Sequence, residues 1–258
     1  MIKRLTALGR AEMILLRRNK VLLFNALLVP IGAALLVANL GGDGGLNAGA
    51  TATVVGLFIA TLLLLVVYYN LLSSYVSRRD ELVLKRLRTG ECRDAEILAG
   101  TALPAVTIAL GQIVVLAGVG AVVLDLPAPV NPPLLVFGVL AGCVVFTALA
   151  LLTAPWTRSV EAAQVTSMPI MFACLLGSGA LIPLEALPDA VARVGRLLPL
   201  TPVVELTRLG WLGSADGSAS LGFVGSLQEA AIPAAVALGW VVLGVLAVRR
   251  YFSWEPRR

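Results

Sequence analysis

Side chains that commonly do chemistry are scarce in this chain. It contains no histidine, which removes the usual general acid/base and the usual metal ligand. Ser178 lies between Gly177 and Gly179, a setting that could present a nucleophile, but no histidine exists to activate it. The three cysteines are scattered and form no CxxC pair. The sequence therefore indicates a protein that is not an enzyme.

The sequence also lacks a phosphate-binding loop. The glycine-rich stretch GGDGG at 41–45 has neither the lysine nor the Ser/Thr of the GxxxxGK[ST] pattern, whose backbone and lysine hold nucleotide phosphates. We therefore expect no cofactor in this chain.

The composition is that of a membrane protein. Hydrophobic residues make up 59% of the 258 residues and charged residues 14%, against about 25% charged in soluble domains. Because lipid offers the backbone no hydrogen bonds, each membrane crossing needs a helix of about 20 apolar residues. The sequence therefore predicts one all-α polytopic membrane domain over 1–258 with six spans. They are residues 21–40, 52–72, 97–124, 134–154, 165–183 and 230–248.

The orientation follows from the basic residues. Six spans place seventeen of the twenty Lys and Arg on one side, in 1–20, 73–96, 155–164 and the tail after Val248. Because cytoplasmic loops are enriched in Lys and Arg, both termini are predicted to be cytoplasmic. Arginine-rich, alanine-rich usage suggests a bacterial cytoplasmic membrane. The enrichment of cytoplasmic loops in Lys and Arg accounts for the basic residues, so we expect no nucleic-acid partner.

Two regions are expected not to span. Residues 1–20 place Lys3, Arg10 and Arg17 on one helical face, which predicts an N-terminal amphipathic elbow helix in the headgroup plane. Residues 184–212 carry six charges, each costing about 2.5–3.5 kcal/mol inside a span. We expect two short helices there at the outer face, re-entrant between spans 5 and 6. They would cover 188–198 and 202–212, with Val191, Val194 and Leu198 along one side of the first.

The segment 77–91, SRRDELVLKRLRTGE, combines charge with a helical pattern. Five cations and three acids fall within fifteen residues, and Leu84 and Leu87 are spaced by three before Gly90, which would end a helix. A topology signal needs only positive charge, whereas mixed charge on an amphipathic helix is typical of a docking element. The residues alone leave both interpretations open.

Two stretches in this order resemble one transporter family. RRDELVLKRLRTGE after the second span resembles the coupling-helix loop of ABC-2 family transporter permeases, and SGALIPLEALPDAVARVGRLLPLTPVVELTR (178–208) resembles that family's signature around the fifth span. The end of this stretch, LPLTPVVELTR, and the 6% aromatic content are closer to the drug-exporting, daunorubicin-exporter-like branch than to polysaccharide exporters.

The resemblance implies a permease subunit that moves a hydrophobic or amphiphilic, drug-like molecule out of the cell. It would pair with a second permease, identical or related, and with two copies of a separate ABC ATPase subunit that binds the ATP and Mg²⁺. Efflux of this kind would confer antibiotic resistance. The ATPase-coupling residues would be Glu81, Leu84, Arg86, Leu87 and Arg88.

The same resemblance places the substrate path at a dimer seam formed by the first, second and fifth spans. Polar candidates there could equally be helix–helix hydrogen-bonding residues, and methionines beside Pro169 would give an adaptable apolar lining. Breaks in and after the fifth span suggest a hinge or outer gate. The path candidates are Asn25, Thr53, Asn70, Gln164, Met168, Met171 and Phe172; the hinge candidates are Pro169, Gly177, Gly179, Pro199 and Pro202.

Three other functions remain open from the sequence. A secondary carrier generally needs ionisable groups within its spans, and these spans have almost none. A polysaccharide or lipid-linked glycan exporter would use the same fold with a more aromatic path. A non-transport assembly subunit on this fold would bind the ATPase without exporting anything.

Overall fold

The computed structural model describes residues 48–83, 93–123, 126–217 and 219–252. Throughout these residues the regular secondary structure is helical. The helices are α1 (Ala48–Thr61), a π-helical segment (Leu62–Tyr69), α2 (Asn70–Asp80), α3 (Asp94–Val123), α4 (Pro132–Thr153), α5 (Val160–Gly177), α6 (Asp189–Gly195), α7 (Thr201–Leu212), α8 (Gly222–Glu229) and α9 (Ala231–Tyr251), with short 3₁₀ turns at Ala154–Trp156 and Leu184–Ala186.

Five helical stretches of the described residues are long and apolar enough to cross a membrane. One is the continuous run of α1, the π-helical segment and α2, and the others are α3, α4, α5 and α9. They correspond to the predicted spans 52–72, 97–124, 134–154, 165–183 and 230–248. The predicted span 21–40 and the predicted elbow helix 1–20 lie outside the described residues.

The ends of the spans differ from the predicted ones for local reasons. The first described span continues to Asp80, eight residues beyond the predicted end. α5 begins earlier because the Ser159 hydroxyl accepts a hydrogen bond from the Ala162 backbone N–H at 3.2 Å, which caps the helix. α5 then ends at Gly177, six residues before the predicted end, so 178–183 is a bend rather than membrane helix.

The core is built around α4. This helix packs against α7, α9 and the π-helical segment. The Phe146 ring meets the Tyr68 ring edge-on, with centroids 6.3 Å apart, and the Tyr68 and Thr153 hydroxyls are 3.2 Å apart. These side chains join α4 to the π-helical segment.

Glycines on α4 and α7 let the two helices approach closely. Gly138 and Gly142 are four residues apart on α4, and a Cβ on either would lie 2.8–2.9 Å from side-chain atoms of neighbouring helices. A Cβ on Gly210 of α7 would lie 2.5 Å from the Leu135 backbone nitrogen. This GxxxG spacing is a common device for helix association in lipid.

The two helices predicted at 188–198 and 202–212 are present as α6 and α7. α6 packs through Ala192 and Gly195, and Val191 and Val194, predicted along one side of this helix, are exposed. α7 is almost entirely buried among the other helices. At twelve residues, or about 18 Å, it is too short to cross about 30 Å of hydrocarbon.

Candidate functional site

The first part of the site is the end of α2, where the charged segment begins. Arg79 is 2% exposed and donates two hydrogen bonds of 2.7 Å, to the backbone oxygens of Ala154 and Thr157. Its guanidinium also lies 3.6 Å from the Asp80 carboxylate. Carbonyl groups at a helix end carry partial negative charge, so a buried guanidinium is well placed there. Arg79 thereby bonds α2 to the α4–α5 connection.

Two neighbouring side chains bond the same end of α2 to α3. The Arg78 guanidinium donates to the Thr101 hydroxyl at 3.1 Å, and the Tyr75 hydroxyl donates to the Leu98 carbonyl at 2.8 Å. The end of α2 is therefore bonded both to α3 and to the α4–α5 connection.

The sequence analysis includes Arg79 in segment 77–91, which it leaves open as a topology signal or a docking element, and assigns this arginine no role of its own. A stronger signal was available in the helical period. Leu72, Tyr75, Val76 and Arg79 follow the spacing of one helical face, and all four are buried. An arginine in phase with an apolar face needs internal hydrogen-bond partners.

The predicted coupling segment 77–91 lies only partly within the described residues. α2 ends at Asp80, and a turn follows in which Leu82 has a φ of 59°. Glu81 is exposed at this turn, and its carboxylate accepts a hydrogen bond from the Ser77 hydroxyl at 2.8 Å. Residues 77–80 thus belong to the preceding span. The other predicted coupling residues, Leu84, Arg86, Leu87 and Arg88, lie outside the described residues.

The second part of the site is a cleft of about 320 Å³ between the π-helical segment and α5, here called the α5 cleft. π-Helical turns are uncommon and are frequent at functional sites. Few of the side chains that line the α5 cleft are polar. One of them is Ser167, whose hydroxyl donates to the Gln164 carbonyl at 3.0 Å. The cleft is lined by Thr61, Leu64, Leu65, Tyr69, Gln164, Ser167, Met168, Met171, Phe172 and Leu175.

The α5 cleft brings together four of the predicted path residues, namely Gln164, Met168, Met171 and Phe172. Thr53 and Asn70 do not line it: each donates a hydrogen bond to the carbonyl four residues earlier in the chain, at 3.0 and 3.3 Å. Asn25 lies outside the described residues. Sequence reasoning missed the opposite wall, including Leu65 and Tyr69, because nothing in an unbroken apolar run shows which face will adjoin another helix.

The third part is the corner formed by α6, α7 and the bend after α5. The Arg208 guanidinium donates to the Ala52 carbonyl of α1 at 2.8 Å and to the Ala180 carbonyl at 3.3 Å. A Cβ at Gly56 would collide with this guanidinium, so the glycine provides the space in which it lies. Arg208 therefore holds three elements together.

Most predicted hinge residues surround this corner. Gly179 has a φ of 76°, a conformation that glycine adopts without steric cost. Gly177 ends α5 in close contact with Gly195 of α6. Pro199 and Pro202 are buried around the start of α7, where the Thr201 hydroxyl donates to the Gly195 carbonyl at 2.5 Å. Pro169 lies apart from the corner, inside α5 and beside Met168 of the α5 cleft.

The corner also holds a carboxylate. Burial raises the pKa of Glu205, one turn before Arg208, while the positive charges of Arg208 and Arg196 act in the opposite direction and Glu185 adds to the rise. Burial likewise lowers the pKa of Arg208, although guanidinium stays protonated in proteins. Among the described residues, no group of Cys, Asp and Glu side chains is placed to hold a metal ion.

Apolar spans, a charged loop base and a cleft between two spans describe a polytopic membrane domain, and the family comparison gives its class. The ABC-2 type transporter family model matches residues 3–211, and the chain belongs to that family. It is therefore the transmembrane permease of an ABC transporter rather than a catalytic domain, and the family implies a partner ATPase. All three parts of the site fall within the matched residues. No curated protein matches the chain significantly.

Proposed function

We propose that this chain is the permease subunit of an ABC exporter that moves a hydrophobic or amphiphilic, drug-like molecule out across a bacterial cytoplasmic membrane. The observation that carries the proposal is the α5 cleft. Its lining is dominated by leucine, methionine and aromatic side chains, a surface that accepts varied apolar ligands through dispersion and flexible methionines. Efflux of such molecules would confer antibiotic resistance.

A second permease copy completes the path in this proposal. α5 is poorly covered within one chain: Val165 is 69% exposed and Phe172 is 57% exposed. Phe172 lines the α5 cleft, so a second copy facing α5 would enclose a ligand between two such surfaces. Either an identical chain or a related permease would serve.

Two copies of a separate ATPase would supply the energy by acting on the charged loop. In this proposal Glu81, Leu84, Arg86, Leu87 and Arg88 contact the ATPase, the leucines as apolar anchors and the charges for orientation. The hydrogen bonds of Arg79, Arg78 and Tyr75 support it because they fix the base of the loop to α3 and to the α4–α5 connection. Motion of the loop would then alter the α5 cleft.

The proposed orientation puts this loop and both termini in the cytoplasm, with α6 and α7 entering the membrane from the outer side. The burial of α7, together with its short length, supports a re-entrant rather than a spanning helix. Hinge motion would then involve Pro169 and the corner of Gly177, Gly179, Pro199 and Pro202.

A glycan exporter fits the α5 cleft less well. Sugars are recognised by aromatic stacking together with polar groups, and the aromatic side chains of this cleft are Tyr69 and Phe172. A secondary carrier is similarly disfavoured, because the described spans carry their acidic and basic residues at or near the ends.

The proposal is tested with the full chain reconstituted in liposomes with its cognate ATPase. Amphiphilic drugs should stimulate ATP hydrolysis and be transported, whereas an oligosaccharide panel should do neither. Leu84→Asp and Leu87→Asp should each uncouple hydrolysis from transport, while Leu227→Asp, at an exposed position on α8 away from the loop, should not. Stimulation by glycans alone, or ATP hydrolysis by the isolated permease, would refute the proposal.

A further inference from the structure

A second and larger cleft lies between α3, α4 and α9. Its volume is about 590 Å³, within the range of about 300–1,000 Å³ that is typical of ligand clefts. Its lining residues are different from those of the α5 cleft. We call it the α3–α9 groove.

The interior of this groove suits hydrocarbon. Ala99, Leu103 and Val106 of α3 face Val144 and Leu151 of α4, and valines of α9 close the third side. Among the residues of its interior, Thr147 carries a hydroxyl, but that hydroxyl already donates to the Cys143 carbonyl at 2.6 Å. A polar or sugar-like ligand would therefore lose its hydrogen bonds to water without replacing them.

The length of the groove matches one membrane leaflet. Its lining along α3 runs from Arg93 to Val106, which at about 1.5 Å per residue covers about 20 Å. Half of the hydrocarbon core measures about 15 Å. A lipid acyl chain that enters the groove from the headgroup level would reach its far end near the bilayer midplane.

Positive charge lies at the headgroup end. Arg93 immediately precedes α3 and Arg249 belongs to the last turn of α9, and both are exposed at the same end of the groove together with Asp94. The nearby Glu96 carboxylate is buried and accepts a hydrogen bond from the Arg93 backbone N–H at 3.0 Å, so the charged groups that line this end are two guanidinium groups and the Asp94 carboxylate. Guanidinium binds phosphate oxygens through two parallel hydrogen bonds, and two positive charges favour a headgroup of net negative charge over one whose phosphate is neutralised by an attached cation.

We propose that the α3–α9 groove binds an anionic phospholipid, with one acyl chain in the groove and the headgroup phosphate on Arg93 and Arg249. In the proposed orientation this lipid belongs to the cytoplasmic leaflet, whose surface is negative. The site is independent of the transported molecule, so it stands or falls separately from the proposed export function.

Native mass spectrometry of the purified full chain tests the headgroup contact. The protein is titrated with phosphatidylglycerol and with phosphatidylcholine of the same acyl chains. Selective retention of phosphatidylglycerol is expected, and Arg93→Gln and Arg249→Gln should each weaken it about fivefold, the weight of one basic residue at an anionic surface. Arg250→Gln is the matched control, because Arg250 is on the same helix and exposed but lies over the Tyr251 ring, 5.8 Å from its centroid, and does not line the groove.

The acyl chain is tested separately by filling the groove. Ala99→Phe should weaken phosphatidylglycerol retention about as much as an arginine substitution, whereas Ala121→Phe, exposed on the same helix outside the groove, should not. If the Ala99→Phe variant does not fold, Leu103→Trp is tested in its place, because it fills the groove from the next turn of α3.

Three results would overturn the proposal. Equal effects of Arg249→Gln and Arg250→Gln would mean a general surface attraction. Unchanged retention in both Ala99→Phe and Leu103→Trp would mean that the acyl chain lies elsewhere. Equal retention of the two lipids by the unaltered protein would mean that the groove is covered by another part of the chain, by a second copy, or by any lipid.

Discussion

α4 and α5 follow each other in the chain, yet their environments are opposite. In α4, 67% of the most apolar stretch is buried, whereas in α5 the share is 17%. Lipid is as apolar as leucine, so hydrophobicity does not bring membrane helices together. What distinguishes α4 is its small residues, Gly138 and Gly142, against which α7 packs. The comparison separates a scaffold helix from a helix whose surface remains available for a ligand or a partner.

The largest effect is expected where the two helices join. Arg79→Gln removes two charged hydrogen bonds to the α4–α5 connection and leaves two carbonyls short of a donor. We expect a loss of about 2–3 kcal/mol in stability, with a melting temperature lower by about 5–10 °C in detergent. Differential scanning fluorimetry measures this. Arg158→Gln, exposed in the same connection, is the control; an equal loss there would mean that Arg79 has no special role.

The scaffold side of the comparison is tested at Gly210. A Cβ there would meet backbone atoms of Leu135, which cannot move aside as a side-chain end can. Gly210→Ala should therefore destabilise the protein by about 1–3 kcal/mol. Gly111→Ala, on α3 with open space around it, should be neutral or slightly stabilising by the same melting measurement. Similar melting temperatures for the two variants would contradict the close α4–α7 approach.

The exposed side is tested at Phe172 of α5. Phe172→Ala should change the free energy of unfolding by no more than about 0.5 kcal/mol, as expected for an exposed position. Because the drug loses an apolar contact, about fivefold more drug should be needed to stimulate ATP hydrolysis. The half-maximal drug concentration for ATPase stimulation in liposomes measures this loss. Phe223→Ala, also exposed but on α8, should leave that concentration unchanged. A large stability loss at Phe172 would mean that α5 is packed like α4.

The smallest effect concerns Glu205. Burial raises the pKa of Glu205 above its ordinary 4.5, so its contribution to stability is full below that pH and is lost as pH rises through the folded-state pKa. Glutamine does not ionise, so the melting temperature of Glu205→Gln relative to the unaltered protein should increase from pH 4.5 to pH 8. Glu229→Gln, at an exposed position, is the control. A difference independent of pH would show that Glu205 does not titrate in that range.

Much of the fold could be predicted from the sequence because apolar length is a local property. Five predicted spans correspond to described helices, and the two short helices after α5 occur where charges and Thr201-Pro202 indicated them. Boundaries were less accurate where a cap such as Ser159, or the bend after Gly177, sets the helix end.

The site was harder to predict because it depends on which faces meet. Met168, Met171 and Phe172 were identified by type and line the α5 cleft, but its opposite wall on the π-helical segment was not anticipated. Arg79 and Arg208 were counted as topology charges or as part of a motif. Their roles depend on carbonyls at least 28 residues away in the chain, and such pairings have no local pattern.

The sequence by itself determined that this protein is a helical membrane domain, that it has no catalytic histidine or phosphate-binding loop, and that it resembles ABC-2 permeases. Hydrophobic length and residue type are sufficient for those conclusions. Only the tertiary structure decided that α4 is buried while α5 is exposed, and that two arginines bond distant helices together. The reason is physical: in a lipid solvent nearly every face is apolar, so close approach of glycines and partners for buried charges, rather than hydrophobicity, select which faces pack.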